Sequence, residues 1–177
     1  MGKQNFAPLT QRVFCQAWAI AGALGHACVE TEHLLLGLLR TPQCRACRLL
    51  LWEGADAERL LALLMRHSGR GRRGLPLGLS EECGRLLALA AAGTRELRPE
   101  DLLLAMLCMP GCGAMRLLET AEIRTEALLP ALCPHVGKED SMQNLRLLDQ
   151  FGVDMVERAD KTELIVGRRQ EIETVLQ

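Results

Sequence analysis

Residues 31–40 read TEHLLLGLLR, and a related stretch, PEDLLLAML, returns at residues 99–107. Both stretches begin with residues that favour a helix start. In the first, Thr31 is predicted to be the N-cap, and Glu32 lies in the first turn, where the positive end of the helix dipole favours an acid. In the second, Pro99 suits the first helical position, and Glu100 supplies the early negative charge. The leucine run after each start predicts a buried helix.

The residues that follow the two stretches also match, at a constant offset of 68 positions. The matching residues are Pro42 and Pro110, Cys44 and Cys112, Arg48 and Arg116, and, further on, Glu58 and Glu126. Before the two stretches, Thr10 pairs with Ser80 at an offset of 70. The loop that leads to the second stretch is therefore predicted to be two residues shorter than the loop that leads to the first. The sequence therefore predicts a tandem duplication of a four-helix unit.

The composition predicts an all-α fold. Hydrophobic residues make up 49% of the 177, but aromatic residues only 3%, and tyrosine is absent, so the enrichment expected of a sheet protein is missing. Apolar periodicity and breaker residues predict helices at about residues 6–24, 32–40, 43–52, 56–65, 80–92, 100–108, 113–120 and 124–133, with Thr10 and Asp56 as caps of the first and fourth. Neither half can bury its leucine face alone, so we expect the halves to pack about a pseudo-two-fold axis.

Two stretches of different composition divide the chain. Residues 68–78 contain four glycines, a proline and three arginines, and residues 134–142 are polar, so both are predicted linkers. We assign residues 1–137 to one domain, with repeats at 4–68 and 77–136. Residues 138–177 are predicted to be a linker and a C-terminal helical extension that begins another module, which we expect to continue in a further domain.

Charge and hydropathy limit the classes of function. The net charge is −1, so there is no overall basic field for nucleic acid, and the arginines of residues 66–73 are expected to be a solvated hinge. No apolar run reaches the length of a membrane span, and the first residues lack the apolar segment of a signal peptide. We expect a cytoplasmic protein that binds neither nucleic acid nor membrane.

The eight cysteines are predicted to be reduced thiols, because most lie in or beside apolar helical segments. The spacings Cys44-x-x-Cys47 and Cys108-x-x-x-Cys112 raise the alternative of a zinc site or a thiol switch. A zinc site needs four converging ligands, but the repeat places Cys44 and Cys112 in separate, equivalent loops. We therefore predict no metal site.

The repeated pattern resembles the N-terminal domain of the Clp unfoldase ATPases, especially of the ClpC and ClpA type. The residues that carry the resemblance are Phe6, Val13, Gly25-His26 and the stretch 31–38, together with its second copy. Residues 148–155 (LDQFGVDM), 166–168 (VGR) and 171–172 (EI) resemble the beginning of that family's first AAA+ module. The resemblance thus identifies a pair of Clp repeats followed by a linker and the start of an AAA+ module.

The resemblance implies a domain that docks protein substrates and adaptor proteins for an unfolding machine. Members of the ClpC branch recognise arginine-phosphorylated proteins through a glutamate in each repeat, which by similarity nominates Glu32 and Glu100, with Thr31, as ligand-binding residues. The competing interpretation is that these residues only cap buried helices. The second copy has Arg98-Pro99-Glu100-Asp101 where the family usually repeats Gly-Thr-Glu-His, which puts its binding site in question.

The 177 residues contain no Gly-x-x-x-x-Gly-Lys-Ser/Thr loop, so we expect this polypeptide not to hydrolyse ATP and to have no catalytic residues and no cofactor. By resemblance, ATP and magnesium belong to the parent ATPase, which would be hexameric and would serve a Clp peptidase, whereas this chain is expected to be monomeric. His33, which follows Glu32, is expected to be a surface or capping residue, because no nucleophile or carboxylate is placed to work with it. The alternative function is a self-standing Clp-repeat regulator that sequesters substrates.

Overall fold

The computed structural model describes residues 5–68, 78–92 and 94–133, and these form a predominantly helical domain. The helices are α1 (Pro8–Leu24), α2 (Thr31–Leu39), α3 (Arg45–Trp52), α4 (Ala57–Ser68), α5 (Glu81–Ala90), α6 (Pro99–Leu107), α7 (Gly113–Thr120) and α8 (Leu128–Leu132). Two-residue strands precede α1 and α6, β1 (Asn5–Phe6) and β2 (Glu96–Leu97). The all-α fold predicted from composition is confirmed.

The contacts between helices come in exchanged pairs, as a pseudo-two-fold relation between two four-helix units requires. Within the units, α1 packs on α2 as α5 packs on α6. Between them, α2 contacts α7 as α6 contacts α3, and α4 contacts α7 as α8 contacts α3. The two leucine helices, α2 and α6, also contact each other. Each unit therefore completes its core with helices of the other.

The leucine runs form the centre of this shared core. Leu34, Leu35 and Leu38 of α2 and Leu102 and Leu103 of α6 are completely buried. Burial of side chains of this size supplies roughly 1.5–3 kcal/mol each relative to exposure, so these leucines contribute strongly to stability.

Helices α1 and α2 approach each other closely at Gly37. A Cβ atom at this position would lie 2.5 Å from the backbone oxygen of Val13 and 3.2 Å from the backbone nitrogen of Ala17. The repeat places Ala105 at the equivalent position of α6. The first helix pair thus needs glycine at a contact where the second pair has an alanine.

Short β contacts join the two repeats, and the sequence analysis did not predict them. Asn5 and Phe6 pair in parallel with Glu96 and Leu97. Val29 forms a second, isolated bridge with Leu79, in which the Val29 N–H donates to the Gly78 oxygen over 2.9 Å. Each contact connects the segment before a helix of one repeat with a segment of the other repeat.

Most predicted helix boundaries agree with the structure within two residues, but α4 continues to Ser68, three residues past its predicted end. The predictions for α1 and α8 also need correction. Thr10 is not the N-cap of α1, because the helix begins at Pro8 and the buried Thr10 hydroxyl donates to the Leu97 oxygen over 2.7 Å instead. Helix α8 is shorter than predicted, because residues 126–127 form a turn ahead of it. The predicted cap Asp56 does accept a hydrogen bond from the backbone of α4, and Ser80 does the same for α5.

Several predictions fall on residues outside the described ranges. They are the joint between the repeats, at residues 69–77, and everything after residue 133, including the second linker, the C-terminal extension and the AAA+ start. The assignment of residues 138–177 to another module therefore stays a prediction. In the part of the chain that is described, no helix is both long and apolar enough to cross a membrane.

Candidate functional site

Thr31 is the first residue of α2 and not its N-cap, so the predicted capping role is wrong. The residue before the helix is Glu30, whose extended backbone makes the turn into α2. Thr31 is completely buried. Its side chain faces the other repeat instead of its own helix start, which is why it does not bond the N–H groups of α2.

The Thr31 hydroxyl joins three elements. It accepts a hydrogen bond from the backbone N–H of Ala114 over 3.1 Å, at the start of α7. It also lies 3.0 Å from Glu82 Oε2, on α5, and 3.2 Å from Glu32 Oε2. A hydroxyl has a single proton, so it donates to one of these two carboxylates at a time.

Glu32 lies against the first residue of α7. A Cβ atom at Gly113 would overlap the Glu32 carboxylate, so only glycine at this position lets the carboxylate lie there. The Gly113 N–H itself donates to Glu82 Oε2 over 3.2 Å. Burial raises the pKa of Glu32, and the neighbouring carboxylates of Glu30 and Glu82 raise it further. We call Thr31, Glu32, Glu82 and the amides of Gly113 and Ala114 the Thr31 site.

Glu100, the equivalent of Glu32 in the second repeat, makes the exchanged contact. It lies in the first turn of α6, and its Oε1 accepts the backbone N–H groups of Arg45 over 3.0 Å and of Ala46 over 3.3 Å. These are the first two residues of α3, where free amides and the helix dipole favour an anion. We call Glu100 and the amides of Arg45 and Ala46 the Glu100 site.

The three residues predicted from sequence therefore divide between two places. Thr31 and Glu32 lie together at the start of α7, whereas Glu100 lies at the start of α3. In both cases a glutamate from the start of a leucine helix lies at the N-terminus of a helix of the other repeat. The pairing across the repeats follows from the pseudo-two-fold packing and could not be read from either copy alone.

Sequence reasoning missed Glu82. It lies in the first turn of α5, where an acid is expected for the helix dipole alone. The predicted pairing of Thr10 with Ser80 at an offset of 70 is wrong, because the Ala7 N–H donates to the Leu97 oxygen as the Ser80 N–H donates to the Val29 oxygen, which sets the offset at 73. Glu82 then corresponds to Leu9, so an acid in the second copy stands where the first copy has an apolar residue.

His33 caps α2, which is one of the two roles predicted for it, a surface residue or a cap. Its Nδ1 accepts the N–H of Glu30 over 2.9 Å, and its Nε2 lies 2.8 Å from His26 Nδ1. Because Nδ1 accepts, the ring proton is on Nε2 and points to His26. Burial, followed by the charge of His26, lowers the pKa of His33 to about 4, so the ring is neutral at pH 7. Asp101, at the same position in the second repeat, accepts the N–H of Arg98 over 2.9 Å.

The cysteines are thiols, as predicted, and several have structural roles. All eight are free. Cys44 precedes α3, and its sulfur accepts the N–H of Cys47 over 3.3 Å. Burial raises the pKa of both thiols, which disfavours the nucleophilic thiolate at neutral pH. Within the described residues, no group of three His, Cys, Asp or Glu side chains is placed to hold a metal ion.

Among the described residues, the surface has an open cleft along the segment before α3 and an exposed tryptophan. Arg12 and Arg40 line an open cleft of about 340 Å³, together with residues 41–43, which lead into α3. At the other end of α3, Trp52 is 86% exposed. The cleft places two cationic side chains next to the segment that leads into α3.

Comparison with known proteins identifies relatives. The family model described as "Clp repeat (R) N-terminal domain" matches residues 5–107. "Chaperone protein ClpC1, chloroplastic" of Oryza sativa subsp. japonica is 27% identical over 194 aligned positions, which include 98% of this chain and 21% of the relative. "ATP-dependent Clp protease ATP-binding subunit ClpA homolog CD4B, chloroplastic" of Solanum lycopersicum aligns with the same identity and coverage. The chain thus spans about a fifth of the length of these relatives.

A solved structure described as "Preliminary structural investigations of a malarial protein secretion system" shares the fold. One of its chains superposes with a TM-score of 0.57 at 19% sequence identity, over 72% of this chain and 92% of that one. At this identity the likeness concerns the fold alone. It agrees with the helical double repeat described above.

Proposed function

The chain belongs to the Clp repeat (R) N-terminal domain family, and from this premise we propose that it docks protein substrates and adaptor proteins for a Clp-type AAA+ unfoldase. The relatives that align with almost all of it are Clp chaperones and a Clp protease subunit. In this proposal the described domain recognises proteins by noncovalent contacts and has no reaction centre. ATP hydrolysis with magnesium, hexamer formation and delivery to a Clp peptidase belong to the parent ATPase.

The ligand that we propose is phosphoarginine in a substrate protein. The single observation that carries this is the exchanged contact of a glutamate with the amides that begin a helix of the other repeat, seen most simply at the Glu100 site. Those amides and the helix dipole suit a phosphate, and a carboxylate suits a guanidinium in bidentate contact. A side chain that carries both groups would be recognised at both ends.

Binding requires an exchange of partners at the Glu100 site. In the free protein, Glu100 Oε1 accepts the amides of Arg45 and Ala46, so a carboxylate already occupies the anion position. The phosphate would replace it there. The released carboxylate would then pair with the guanidinium that bears the phosphate, so that no buried group loses its partner. Thr31 and Glu32 are the corresponding candidates in the first repeat.

Calorimetric titration of the 177-residue chain with phosphoarginine at neutral pH tests this function. We expect saturable binding that neither arginine nor inorganic phosphate reproduces alone. The double variant Glu32→Gln/Glu100→Gln should weaken binding about tenfold or more, because the carboxylates for the guanidinium are gone. The double variant Glu81→Gln/Glu119→Gln removes the same charge from exposed positions and should bind as the wild type does. Equal affinities in all three proteins would refute phosphoarginine as the ligand.

Other predictions from the sequence concern enzymatic activity, cofactors and location in the cell. The absence of enzymatic activity and of a cofactor stays a prediction, as does the cytoplasmic location, and the plant relatives are named as chloroplastic. No observation on the described residues favours the self-standing regulator or the zinc and thiol switch over a docking domain. We therefore propose a docking role only.

A further inference from the structure

Helix α3 ends in two large apolar side chains that are open to solvent. Trp52 is 86% exposed and Leu51 is 50% exposed, and no other large apolar side chain of the described residues is exposed. The two residues are consecutive in the last turn of the helix, so they form one patch. Large apolar side chains usually leave water on folding, and an exposed patch of them is typical of an interaction surface.

The second repeat shows that the fold does not require apolar residues at these two positions. Helices α3 and α7 each have eight residues and begin after a cysteine, and the backbone bonds that follow the two helices repeat at the offset of 68. At this offset Leu51 corresponds to Glu119 and Trp52 to Thr120, which are exposed polar residues. The apolar pair is therefore a property of the first repeat and not of the duplicated fold.

The other exposed side chains of α3 are cationic. Arg45 and Arg48 are exposed, and the helix contains no acid. Positions 45, 48 and 52 are three and four residues apart, so their side chains form one stripe along the helix. The Arg45 guanidinium donates to the Ala131 oxygen, whereas Arg48 has no ion pair within the described ranges. The stripe thus runs from two arginines to Trp52.

The charge on this stripe is unbalanced in α3 but not in α7. Arg116, the copy of Arg48, is followed three residues later by Glu119, a spacing that allows ion pairing on a helix. At the same spacing after Arg48 the chain has Leu51. The first repeat therefore has an apolar residue where the second has the acid that balances its arginine.

Acidic side chains follow only past the end of α3. Glu53 ends the helix, and Asp56 caps α4. Glu58 lies 3.6 Å from Arg40. The surface thus changes from cationic along α3 to anionic after Trp52, which gives a bound charged segment one preferred direction.

We propose that Arg45, Arg48, Leu51 and Trp52, here called the α3 face, bind an acidic segment of a partner protein. An apolar side chain of that segment packs on Trp52 and Leu51, and its carboxylates pair with the two arginines. Tryptophan and arginine are the residues that most often dominate the energy of protein interfaces. The inference rests on the proposed function, because it names a class of partner for the docking domain. It shares with the Glu100 site only Arg45, whose amide serves there and whose side chain serves here.

Tryptophan fluorescence of the 177-residue chain tests the α3 face. The probe is a synthetic amphipathic peptide of leucine and glutamate, and the control peptide has lysine in place of glutamate. The chain has two tryptophans, so Trp18→Phe leaves Trp52 as the single reporter. The acidic peptide should shift its emission to shorter wavelengths and protect it from acrylamide, and the lysine peptide should not. Equal effects of the two peptides, no effect of either, or emission already protected in the free chain would overturn the inference.

Calorimetry with the acidic peptide and the otherwise unmodified chain tests the residues. The double variant Leu51→Glu/Trp52→Thr introduces the residues found in α7 and should abolish binding. Arg48→Glu should weaken binding about tenfold or more, whereas Arg116→Glu, the same charge change on α7, should leave it unchanged. Wild-type affinity in either α3 variant, or an equal loss in Arg116→Glu, contradicts the proposed surface.

Two further measurements separate this inference from a second copy of the chain and from the proposed function. Sedimentation velocity should show a monomer, and a dimer that Leu51→Glu/Trp52→Thr dissociates would assign the α3 face to self-association and overturn the inference. Phosphoarginine should bind this double variant as it binds the wild type. Failure of the peptide with intact phosphoarginine binding overturns the inference alone, and the opposite result overturns phosphoarginine as the ligand and leaves the α3 face standing.

Discussion

Thr31 illustrates how one side chain at a helix start can serve the interface between two repeats. Its position suggested a cap, but its hydroxyl accepts the N–H of Ala114 and donates to a carboxylate. The N-terminal amides of α7 are therefore satisfied by side chains 31 and 83 positions away in sequence, Glu82 and Thr31. Capping of α7 is thus shared between Thr31 of the opposite repeat and Glu82 of its own repeat.

Replacement of Thr31 by valine should destabilise the domain. Valine has the same shape but cannot accept the buried Ala114 N–H, and an unsatisfied buried donor costs about 1–3 kcal/mol. Urea unfolding measures the loss. Thr120→Val is the control, because the Thr120 hydroxyl bonds the Arg116 oxygen at an exposed position, and its loss should cost clearly less. Equal losses in the two variants would contradict the bridging role of Thr31.

His33 should make stability depend on pH in a defined window. Its pKa is lowered from 6.5 to about 4 in the fold, so the unfolded chain binds more protons between these values. The stability that His33 contributes is therefore complete above pH 6.5 and is lost as the pH falls to about 4, by up to about 3 kcal/mol.

Urea unfolding at several pH values between 4 and 7 tests this. His33→Asn, whose side chain has an oxygen acceptor for the Glu30 N–H but no titrating ring, should show a shallower loss of stability on acidification. His67→Asn, at an exposed position of α4, should keep the wild-type slope. Carboxylates such as Glu32 titrate in all three proteins, so the difference between slopes isolates the histidine. An unchanged slope in His33→Asn would contradict the assignment.

At the scale of the helices, the close approach of α1 to α2 depends on Gly37. Gly113, at the start of α7, provides a matched comparison. A methyl group at Gly37 would meet backbone atoms of α1, whereas one at Gly113 would meet only the end of the Glu32 side chain. Backbone cannot move without separating the helices, but a carboxylate can rotate away. The two positions should therefore respond differently to the same substitution.

Gly37→Ala should cost about 1–3 kcal/mol or more of unfolding free energy, the usual cost of overpacking a core. Gly113→Ala should change it by less than about 1 kcal/mol, because the gain in helix propensity offsets the displaced carboxylate. Denaturation in urea compares both with the wild type. A Gly37→Ala protein as stable as the wild type would show that the α1–α2 contact can relax.

The molecule as a whole is one core shared by two copies, so neither copy should fold alone. Residues 1–68 would leave the faces of α2 and α3 that contact α7 and α6 uncovered. A chain of this length is marginal even with a complete core. We expect residues 1–68 to show no cooperative urea transition by circular dichroism, while residues 1–137 show one. A cooperative transition of the half-chain would refute the shared core.

The helices could be predicted because their signals are local. The leucine periodicity of α2 and α6, the cap Asp56 and the first-turn Pro99 all act within a few residues, and each lies where it was predicted. The short strands and the true start of α1 were not predicted. They depend on Asn5 and Phe6 meeting Glu96 and Leu97, which is a contact between repeats.

The sequence by itself determined the duplication, the helical class and the glutamates at the two helix starts, because repeats, periodicity and caps are written in neighbouring residues. Only the tertiary structure decided what those glutamates face. Glu100 meets Arg45 from 55 positions away, and Thr31 meets Glu82 from 51. Such pairs form because the two leucine faces must bury each other, and that packing sets the charge around each site. No local pattern records it.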